Sequence, residues 1–197
     1  MTAPDNETLG VYAARAAQYL RLTSGDQPDH GLDAFINALP TGARVHDLGC
    51  GPGKSAAQMK AAGLIVDASD ASPEMVTMAC DRFDVAAQLA GFGDLKAIQI
   101  YDGVYANFSL LHAPKSQFAD HLLSIHRALK PNGILHLAMK LGTGERRDTL
   151  GRFYAYYSAQ ELNDQLAAAG FSTVAKQPDE ALGLAGEMEP FITITAH

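Results

Sequence analysis

The chain has 197 residues, of which 47% are apolar, and this length and composition fit one globular domain with a full core. The net charge of −7 argues against a nucleic-acid partner, because such proteins usually carry a basic surface. No apolar run approaches the roughly 18 residues of a membrane span, and the N-terminus lacks a secretory signal. Cys50 and Cys80 are too few for a disulfide framework or a zinc site. We therefore expect one cytoplasmic domain over residues 1–197, with no metal and no membrane partner.

Hydrophobic periodicity divides the chain into alternating helices and strands. The predicted helices cover residues 7–22, 31–39, 53–62, a segment after Ser72, 116–129 and 158–169, with a turn-rich break at 24–29. The predicted strands cover residues 44–48, 64–68, 85–89, 101–107, 134–140, 171–176 and 191–196, and a polar loop precedes residue 158. Ser72 is the expected N-cap of one helix, and Ser158 with Glu161 forms a capping box for another. This alternation predicts an α/β fold with a doubly wound, mostly parallel sheet and helices on both faces.

The stretch Val45–Ser55, VHDLGCGPGKS, joins a predicted buried strand to the start of a helix. Gly49, Gly51 and Gly53 allow positive φ angles and let a ligand approach without meeting a Cβ atom. The following helix directs unpaired N–H groups and its positive dipole end towards such a ligand. The sequence therefore predicts a ligand-binding loop here.

Glycine spacing excludes two ligand classes for this loop. A phosphate-binding P-loop needs a glycine five positions before Gly53-Lys54-Ser55, where Leu48 stands. The dinucleotide pattern G-x-G-x-x-G fails at its third position from either possible start. A nicotinamide-dependent oxidoreductase is therefore disfavoured.

The segment Asp47–Gly53, DLGCGPG, resembles the first motif of the class I S-adenosylmethionine-dependent methyltransferases. Ser72–Met75 (SPEM), Asp102–His112 (which ends in SLLH) and Leu129–Gly133 (LKPNG) look like later landmarks of that family. The resemblance covers residues 43–140, and residues 140–170 more loosely. It implies a Rossmann-like, seven-stranded sheet with its last strand antiparallel. Residues 140–157 look like a subset of small bacterial methyltransferases with no settled substrate.

The resemblance implies S-adenosylmethionine as cofactor and suggests where it binds. Asp70, at the end of the second predicted strand, is expected to accept hydrogen bonds from the ribose hydroxyls; the less favoured alternative is that it caps a helix. Asp47 suits the cationic methionine end, although it could simply form a turn; Cys50 is more typical of a packing residue than of a nucleophile. The segment after the third strand is where the family contacts adenine. The cofactor-binding candidates are Asp47, Gly49, Cys50, Gly51, Gly53, Asp70, Ala71, Met75, Phe92, Asp94 and Asn107.

Methyl transfer is an in-line displacement, so the protein contributes mainly alignment and desolvation. His112 is the catalytic candidate if the acceptor must lose a proton, although it could also cap the next helix. Residues 1–40 are expected to form a helical lid that brings Tyr12 or Tyr19 to the acceptor, although each tyrosine could be core. The other acceptor candidates are Arg147, Arg152 and Tyr156, in a segment whose arginines either bind an anionic acceptor or pair with nearby acids. We favour the ion-pairing interpretation.

The leading hypothesis is methyl transfer to a small-molecule acceptor by a monomer or homodimer. Asn107-Phe108-Ser109-Leu110 differs from the [DN]-P-P-[YFW] motif of nucleic-acid amine methyltransferases, and no Pro-Cys pair provides the nucleophile of the cytosine-carbon enzymes. The alternative is a protein that binds the cofactor, or its product, without catalysis. Three further histidines are expected to be structural: His121, His126 and His136.

Overall fold

A computed structural model describes residues 4–23 and 29–197 of the chain. The predicted break after the first helix lies almost wholly outside these residues. The helices are α1 (Asn6–Thr23), α2 (His30–Asn37), α3 (Lys54–Ala61), α4 (Pro73–Phe83), α5 (Lys115–Ala128) and α6 (Ala159–Ala168). The strands are β1 (Arg44–Leu48), β2 (Ile65–Asp70), β3 (Ala87–Leu89), β4 (Tyr101–Asn107), β5 (Leu129–Lys140), β6 (Glu145–Arg147), β7 (Phe153–Ala155), β8 (Thr173–Leu182) and β9 (Met188–Ala196).

Seven strands form one sheet in the order β3-β2-β1-β4-β5-β9-β8. Strands β1 to β5 are parallel, whereas β9 runs antiparallel to both of its neighbours, β5 and β8. The prediction of a mostly parallel sheet with an antiparallel last strand is therefore confirmed. The strand order reverses between β1 and β4, and ligands of such sheets bind outside the strand ends at that point.

The core lies on both faces of this sheet. Val104 and Ala106 of β4 pack in a buried cluster that contains residues of α5 and α6. Tyr105 lies between them in sequence and packs in a second cluster, with residues of α2 and α3. Because successive strand residues face opposite sides of a sheet, these two clusters cover its two faces.

The last two strands extend further than the sequence predicts. The β8–β9 ladder continues to the pair Leu182–Met188, whereas the prediction for β8 ended at Lys176. Residues 174–182 are exposed, and the middle of this segment, KQPDE, is polar apart from Pro178, so it lacks the apolar alternation that marks a strand. A proline is tolerated there because β8 lies at the edge of the sheet.

Two other boundaries differ from the prediction. β5 begins at Leu129 rather than residue 134, and residues 130–133 form an irregularity in its pairing with β4, with Asn132 at φ +64°. The predicted polar loop after β5 was wrong, because β6 and β7 form an antiparallel hairpin there. Each of these strands has three residues, which is too short for a periodic signal.

Two predicted helix caps are confirmed. The Ser72 side chain accepts a hydrogen bond from the N–H of Met75 at the start of α4. Ser158 and Glu161 form a reciprocal capping box at the start of α6. Among the described residues, none of the helices has the length and hydropathy to cross a bilayer.

Candidate active site

The glycine loop between β1 and α3 is fixed by backbone hydrogen bonds to β2. The N–H groups of Gly49 and Cys50 donate to the Ser69 carbonyl at 2.8 and 2.9 Å. Gly49 has a φ of +79°, and a Cβ atom there would collide with the side chain of Ser109 after β4. The loop therefore needs glycine at this position both for its conformation and for the close approach of β4.

Two predicted cofactor residues lie behind this loop. Gly53 has a φ of +89°, and a Cβ atom there would be 2.8 Å from the Cβ of Ala79 on α4. Cys50 is buried in a cluster of small apolar side chains that includes Ala79. The structure explains both residues by packing, and their contact with a cofactor stays a prediction.

A cavity, here called the first cavity, opens at the switch point between β1 and β4. Eleven of the predicted site residues line it: Tyr12, Tyr19, Gly49, Gly51, Asp70, Ala71, Met75, Phe92, Asp94, Asn107 and His112. His121, which was expected to be structural, also lines this cavity, with its ring 5.7 Å from that of Phe92. The loops after β1, β2, β3 and β4 all contribute to its wall, as the strand order requires.

The carboxylate of Asp70 organises the wall after β2. Its two oxygens accept hydrogen bonds from the N–H groups of Gly51 and Ser72, each at 2.8 Å. Burial raises the pKa of this carboxyl above its ordinary value, although these hydrogen bonds oppose the shift. Asp70 therefore ties the glycine loop to the start of α4 and also borders the first cavity.

Asp47 lies at the end of β1 and is only 3% exposed. Its Oδ2 atom has no hydrogen-bond partner among the described residues, and the N–H of Ala56 hydrogen-bonds to the carboxylate. Burial and the nearby Asp70 raise the pKa of Asp47 to about 8. A buried carboxylate with an unsatisfied oxygen is costly, and a cation beside it would offset that cost. Asp47 is not among the residues that line the first cavity, but a cation that reached its unsatisfied oxygen would favour the ionised carboxylate, so its chemistry fits a cationic ligand such as S-adenosylmethionine.

Two more predicted residues are held by local hydrogen bonds. Asp94 is exposed and accepts a hydrogen bond from the N–H of Gly91 at 2.9 Å, which closes a short 3₁₀ turn. The Asn107 Oδ1 atom lies 3.2 Å from His136 Nε2, and the His136 ring stacks on Tyr105. Both residues still border the first cavity.

A second cavity adjoins the first. The two share Tyr12, Tyr19, Phe108 and His112. The other residues that line the second cavity are Leu111, Lys140, Arg152, Tyr154, Ala181, Leu182, Gly183, Leu184, Glu189 and Phe191. The two cavities are therefore neighbouring compartments, and Tyr12 and Tyr19 of α1 border both of them.

His112 and Tyr12 form a hydrogen bond where the two cavities meet. The His112 Nδ1 atom lies 2.7 Å from the carbonyl oxygen of Phe153, so this nitrogen donates and Nε2 is the acceptor. The Tyr12 hydroxyl lies 2.9 Å from that Nε2 and accepts a hydrogen bond from Arg152 Nη1 at 3.1 Å. Burial lowers the pKa of His112 to about 4, so the imidazole is neutral at pH 7.

Two arginines of the β6–β7 hairpin, Arg147 and Arg152, form ion pairs with acids, as the favoured interpretation expected, whereas Arg146 lies over the Tyr156 ring, 3.6 Å from its centroid. Arg152 is buried and pairs with Asp148 at 2.7 Å. Arg147 pairs with Asp5 at 2.8 Å and lies outside the lining of both cavities. Tyr156 also lies outside them, and its hydroxyl donates to Glu189 at 3.2 Å. Of the three predicted acceptor residues Arg147, Arg152 and Tyr156, Arg152 is the one that lines the second cavity.

Sequence reasoning missed several residues of the second cavity. Lys140 ends β5 and forms a buried ion pair with Glu189 at the start of β9. Lys140 could have been found from its position at the end of a predicted strand, whereas no sequence pattern marks Glu189. Among the described residues, no cluster of histidine, cysteine or carboxylate side chains is arranged to hold a metal ion.

Comparison with known proteins finds a matching domain family and several related methyltransferases. Residues 45–133 match the family model described as a methyltransferase domain. An uncharacterized methyltransferase of Staphylococcus carnosus is 21% identical over 182 residues, which cover 88% of this chain and 87% of that protein. A malonyl-[acyl-carrier protein] O-methyltransferase of Salmonella typhimurium is 30% identical over 132 residues, which cover 64% of this chain and 50% of that protein.

The fold has a close counterpart among solved structures. The 1,6-didemethyltoxoflavin-N1-methyltransferase of Burkholderia thailandensis, solved with S-adenosylhomocysteine, superposes with a TM-score of 0.70 at 24% identity. The match covers 100% of this chain and 90% of the other. Together with the matched methyltransferase domain and the glycine loop at the switch point, these similarities give one conclusion. Residues 45–133 are a methyltransferase domain, and the chain is an S-adenosylmethionine-dependent methyltransferase with the class I fold.

Proposed function

We propose that this methyltransferase acts on a small-molecule acceptor that binds in the second cavity. The observation that carries the proposal is the junction of the two cavities, which share Tyr12, Tyr19, Phe108 and His112. A methyl donor in the first cavity and an acceptor in the second would meet at this junction. In-line displacement requires that alignment of donor and acceptor.

In the first cavity, Asp70 would accept hydrogen bonds from the ribose, and Asp47 would balance the charge of the methionine end. Gly49 and Gly51 border the cavity without a Cβ atom, so backbone can approach the ligand closely. When bound, S-adenosylmethionine supplies a methyl group already activated by its sulfonium. Asp47 therefore contributes binding and orientation, and the remaining cofactor-binding candidates contribute the shape of the cavity.

At the junction, Tyr12 and His112 would position the acceptor rather than change its protonation. His112 is neutral at pH 7 because burial lowers its pKa, and its Nε2 atom is engaged by the Tyr12 hydroxyl. A base with so low a pKa removes protons poorly from weakly acidic groups. The helix α1, as part of the proposed lid over residues 1–40, brings Tyr12 and Tyr19 to this place.

A screen of acceptors tests this function. Purified protein, S-adenosylmethionine and a library of small molecules are incubated, and formation of S-adenosylhomocysteine is followed by mass spectrometry. We expect turnover with at least one small molecule and about a hundredfold loss in Asp70→Ala, through weaker cofactor binding. Turnover only with an acceptor carried on an acyl carrier protein, as the name of the Salmonella typhimurium relative would suggest, would contradict the proposal. That relative is about twice as long as the region matched here.

The second candidate is a protein that binds the cofactor or its product without transferring a methyl group. Cofactor binding is supported equally for an enzyme and for a non-catalytic protein by the unpaired oxygen of Asp47 and the hydrogen-bonded carboxylate of Asp70. Tight binding of S-adenosylhomocysteine with no turnover across both kinds of acceptor would favour this candidate.

A further inference from the structure

The wall of the second cavity carries an excess of positive charge. Lys140 and Arg152 both line it, and each is at least nine-tenths buried. Glu189 is the one acidic side chain among the described residues that line this cavity. Asp148, which pairs with Arg152, lies outside the lining. The lining itself therefore carries a formal charge of one positive unit.

Lys140 is the cation best placed to meet a ligand. Its ammonium pairs with Glu189 and lies 3.7 Å from the ring centroid of Tyr154. An ammonium has three N–H donors, so the contact with one carboxylate oxygen leaves others for a bound group. Burial lowers the pKa of Lys140, and Glu189 opposes that shift. A second anion would stabilise the charged form further.

Arg152 is less able to take a ligand. Its Nε and Nη2 atoms donate to Asp148, and its Nη1 atom donates to the Tyr12 hydroxyl. This arginine is consequently fixed in place by the hairpin and by α1. It contributes positive charge to the cavity, and the Tyr12 hydroxyl that it holds in turn contacts His112.

The rest of the lining is mostly apolar and aromatic. Phe108 and Phe191 meet edge to face, with ring centroids 5.1 Å apart. Leu111, Leu182 and Leu184 add aliphatic surface. Aromatic faces favour flat ligands, because ring stacking and edge contacts both need a planar partner. One region of charge within an apolar lining suits a ligand with one charged group on an apolar body.

We propose that the acceptor of this enzyme is a flat, largely apolar molecule that carries one acidic group, and that Lys140 binds this group. The inference rests on the proposed function of the second cavity as the acceptor site. Glu189 acts as the internal competitor of the ligand, since it occupies one donor of the same ammonium. Lys140 is therefore a specificity-determining residue, and Glu189 sets how strongly the acidic group is held.

The test uses matched probes on the protein saturated with S-adenosylhomocysteine. Benzoate and 2-naphthoate are compared with benzamide and 2-naphthamide by calorimetry, because each pair differs mainly in charge. We expect the acids to bind about tenfold more tightly than the amides. Lys140→Met should remove this difference, whereas Glu189→Gln should increase it by freeing the ammonium. Lys130→Met, at a partly exposed ion pair with Asp102, is the matched control and should leave the difference unchanged.

The opposite responses of the two variants separate binding from folding. If the variants only damaged the fold, both would weaken acid binding, and both would lower the unfolding temperature. Equal affinity for acids and amides, or no acid binding at all, overturns the inference, as does weaker acid binding in Glu189→Gln. Failure of S-adenosylhomocysteine itself to bind would instead contradict the proposed function, so the two failures are distinguishable.

Discussion

Asp47 and Asp70 end adjacent parallel strands, and both carboxyl groups have raised pKa values because they are buried. Their hydrogen bonding within the protein differs. Asp70 is compensated by the N–H groups of Gly51 and Ser72, whereas one oxygen of Asp47 has no partner among the described residues. Asp47, the carboxylate with the unpaired oxygen, is therefore the one expected to contact the cationic end of the cofactor.

Asp47→Asn should change how stability depends on pH. The folded-state pKa of Asp47, about 8, lies above its ordinary value of 3.8. The folded protein therefore binds more protons than the unfolded chain between these values, and stability falls as pH rises, by at most about 1.4 kcal/mol per pH unit. We expect the free energy of unfolding of the ligand-free wild type to fall between pH 6.5 and 8 by this term, and the term to be absent in the variant. Denaturant titrations at several pH values measure it.

The buried histidines contribute equally to the wild type and to the variant. His46, His112 and His136 have pKa values lowered to about 4 from 6.5, so their stabilising contribution still grows as pH rises through 6.5, and the difference between the two proteins isolates Asp47. Asp81→Asn, at an exposed position on α4, is the control and should follow the wild type. Identical pH slopes for Asp47→Asn and the wild type would contradict the assignment.

His112 should remain neutral throughout the physiological range. Burial is the main cause of its lowered pKa, and the nearby cations Arg152 and Lys140 act in the same direction. We expect its imidazole signals in NMR spectra, assigned by their loss in His112→Gln, to titrate near pH 4. A titration midpoint at or above 6.5 would restore His112 as a general base.

At the scale of elements, α1 is held over the two cavities by the β6–β7 hairpin. Arg147 of β6 pairs with Asp5 just before α1. The Phe153 N–H of β7 donates to the Thr8 hydroxyl at 2.8 Å. Arg152 donates to the Tyr12 hydroxyl, as described above. These three contacts connect segments about 140 residues apart in sequence, and they make the hairpin the support of the proposed lid.

Arg147→Met should loosen α1 with little loss of global stability. The ion pair with Asp5 is partly exposed, and such pairs contribute about 0–1 kcal/mol. We expect faster amide hydrogen exchange over residues 6–23, no change in α5, and a small change in unfolding temperature. Lys60→Met, which removes the exposed ion pair between Lys60 of α3 and Asp84 just after α4, is the matched control. Unchanged exchange in α1 would show that the hairpin does not support it.

The elements near the glycine loop could be predicted because their signals are local. The strand ending at Asp47, the loop and α3 follow one another within a few residues, and Ser72 caps α4 next to Asp70. The second cavity depends instead on distant pairings. Lys140 meets Glu189 only because β5 pairs with β9, and the sequence separation of 49 residues hides that register. The hairpin strands β6 and β7 were missed for a different reason, since three residues cannot display a period.

At the scale of the whole molecule, the strand order places the two cavities side by side. The reversal between β1 and β4 leaves a crevice outside the strand ends. The loops after β1 to β4 line the first cavity, while the end of β5, the hairpin and the β8–β9 turn line the second. A ligand that binds only the folded state would stabilise the whole domain, by about 2.7 kcal/mol at a concentration one hundred times its dissociation constant.

The most direct test of the account is calorimetric titration with S-adenosylmethionine and with S-adenosylhomocysteine. Wild type, Asp70→Ala and Asp70→Asn are compared, with thermal unfolding of each to verify that it is folded. The account predicts that the wild type binds both ligands with micromolar affinity, and that both variants, although folded, lose about a hundredfold or more in affinity, because the carboxylate that accepts the ribose hydroxyls is gone. Folded wild-type protein that binds neither ligand, or variants that bind as tightly as the wild type, would contradict the account.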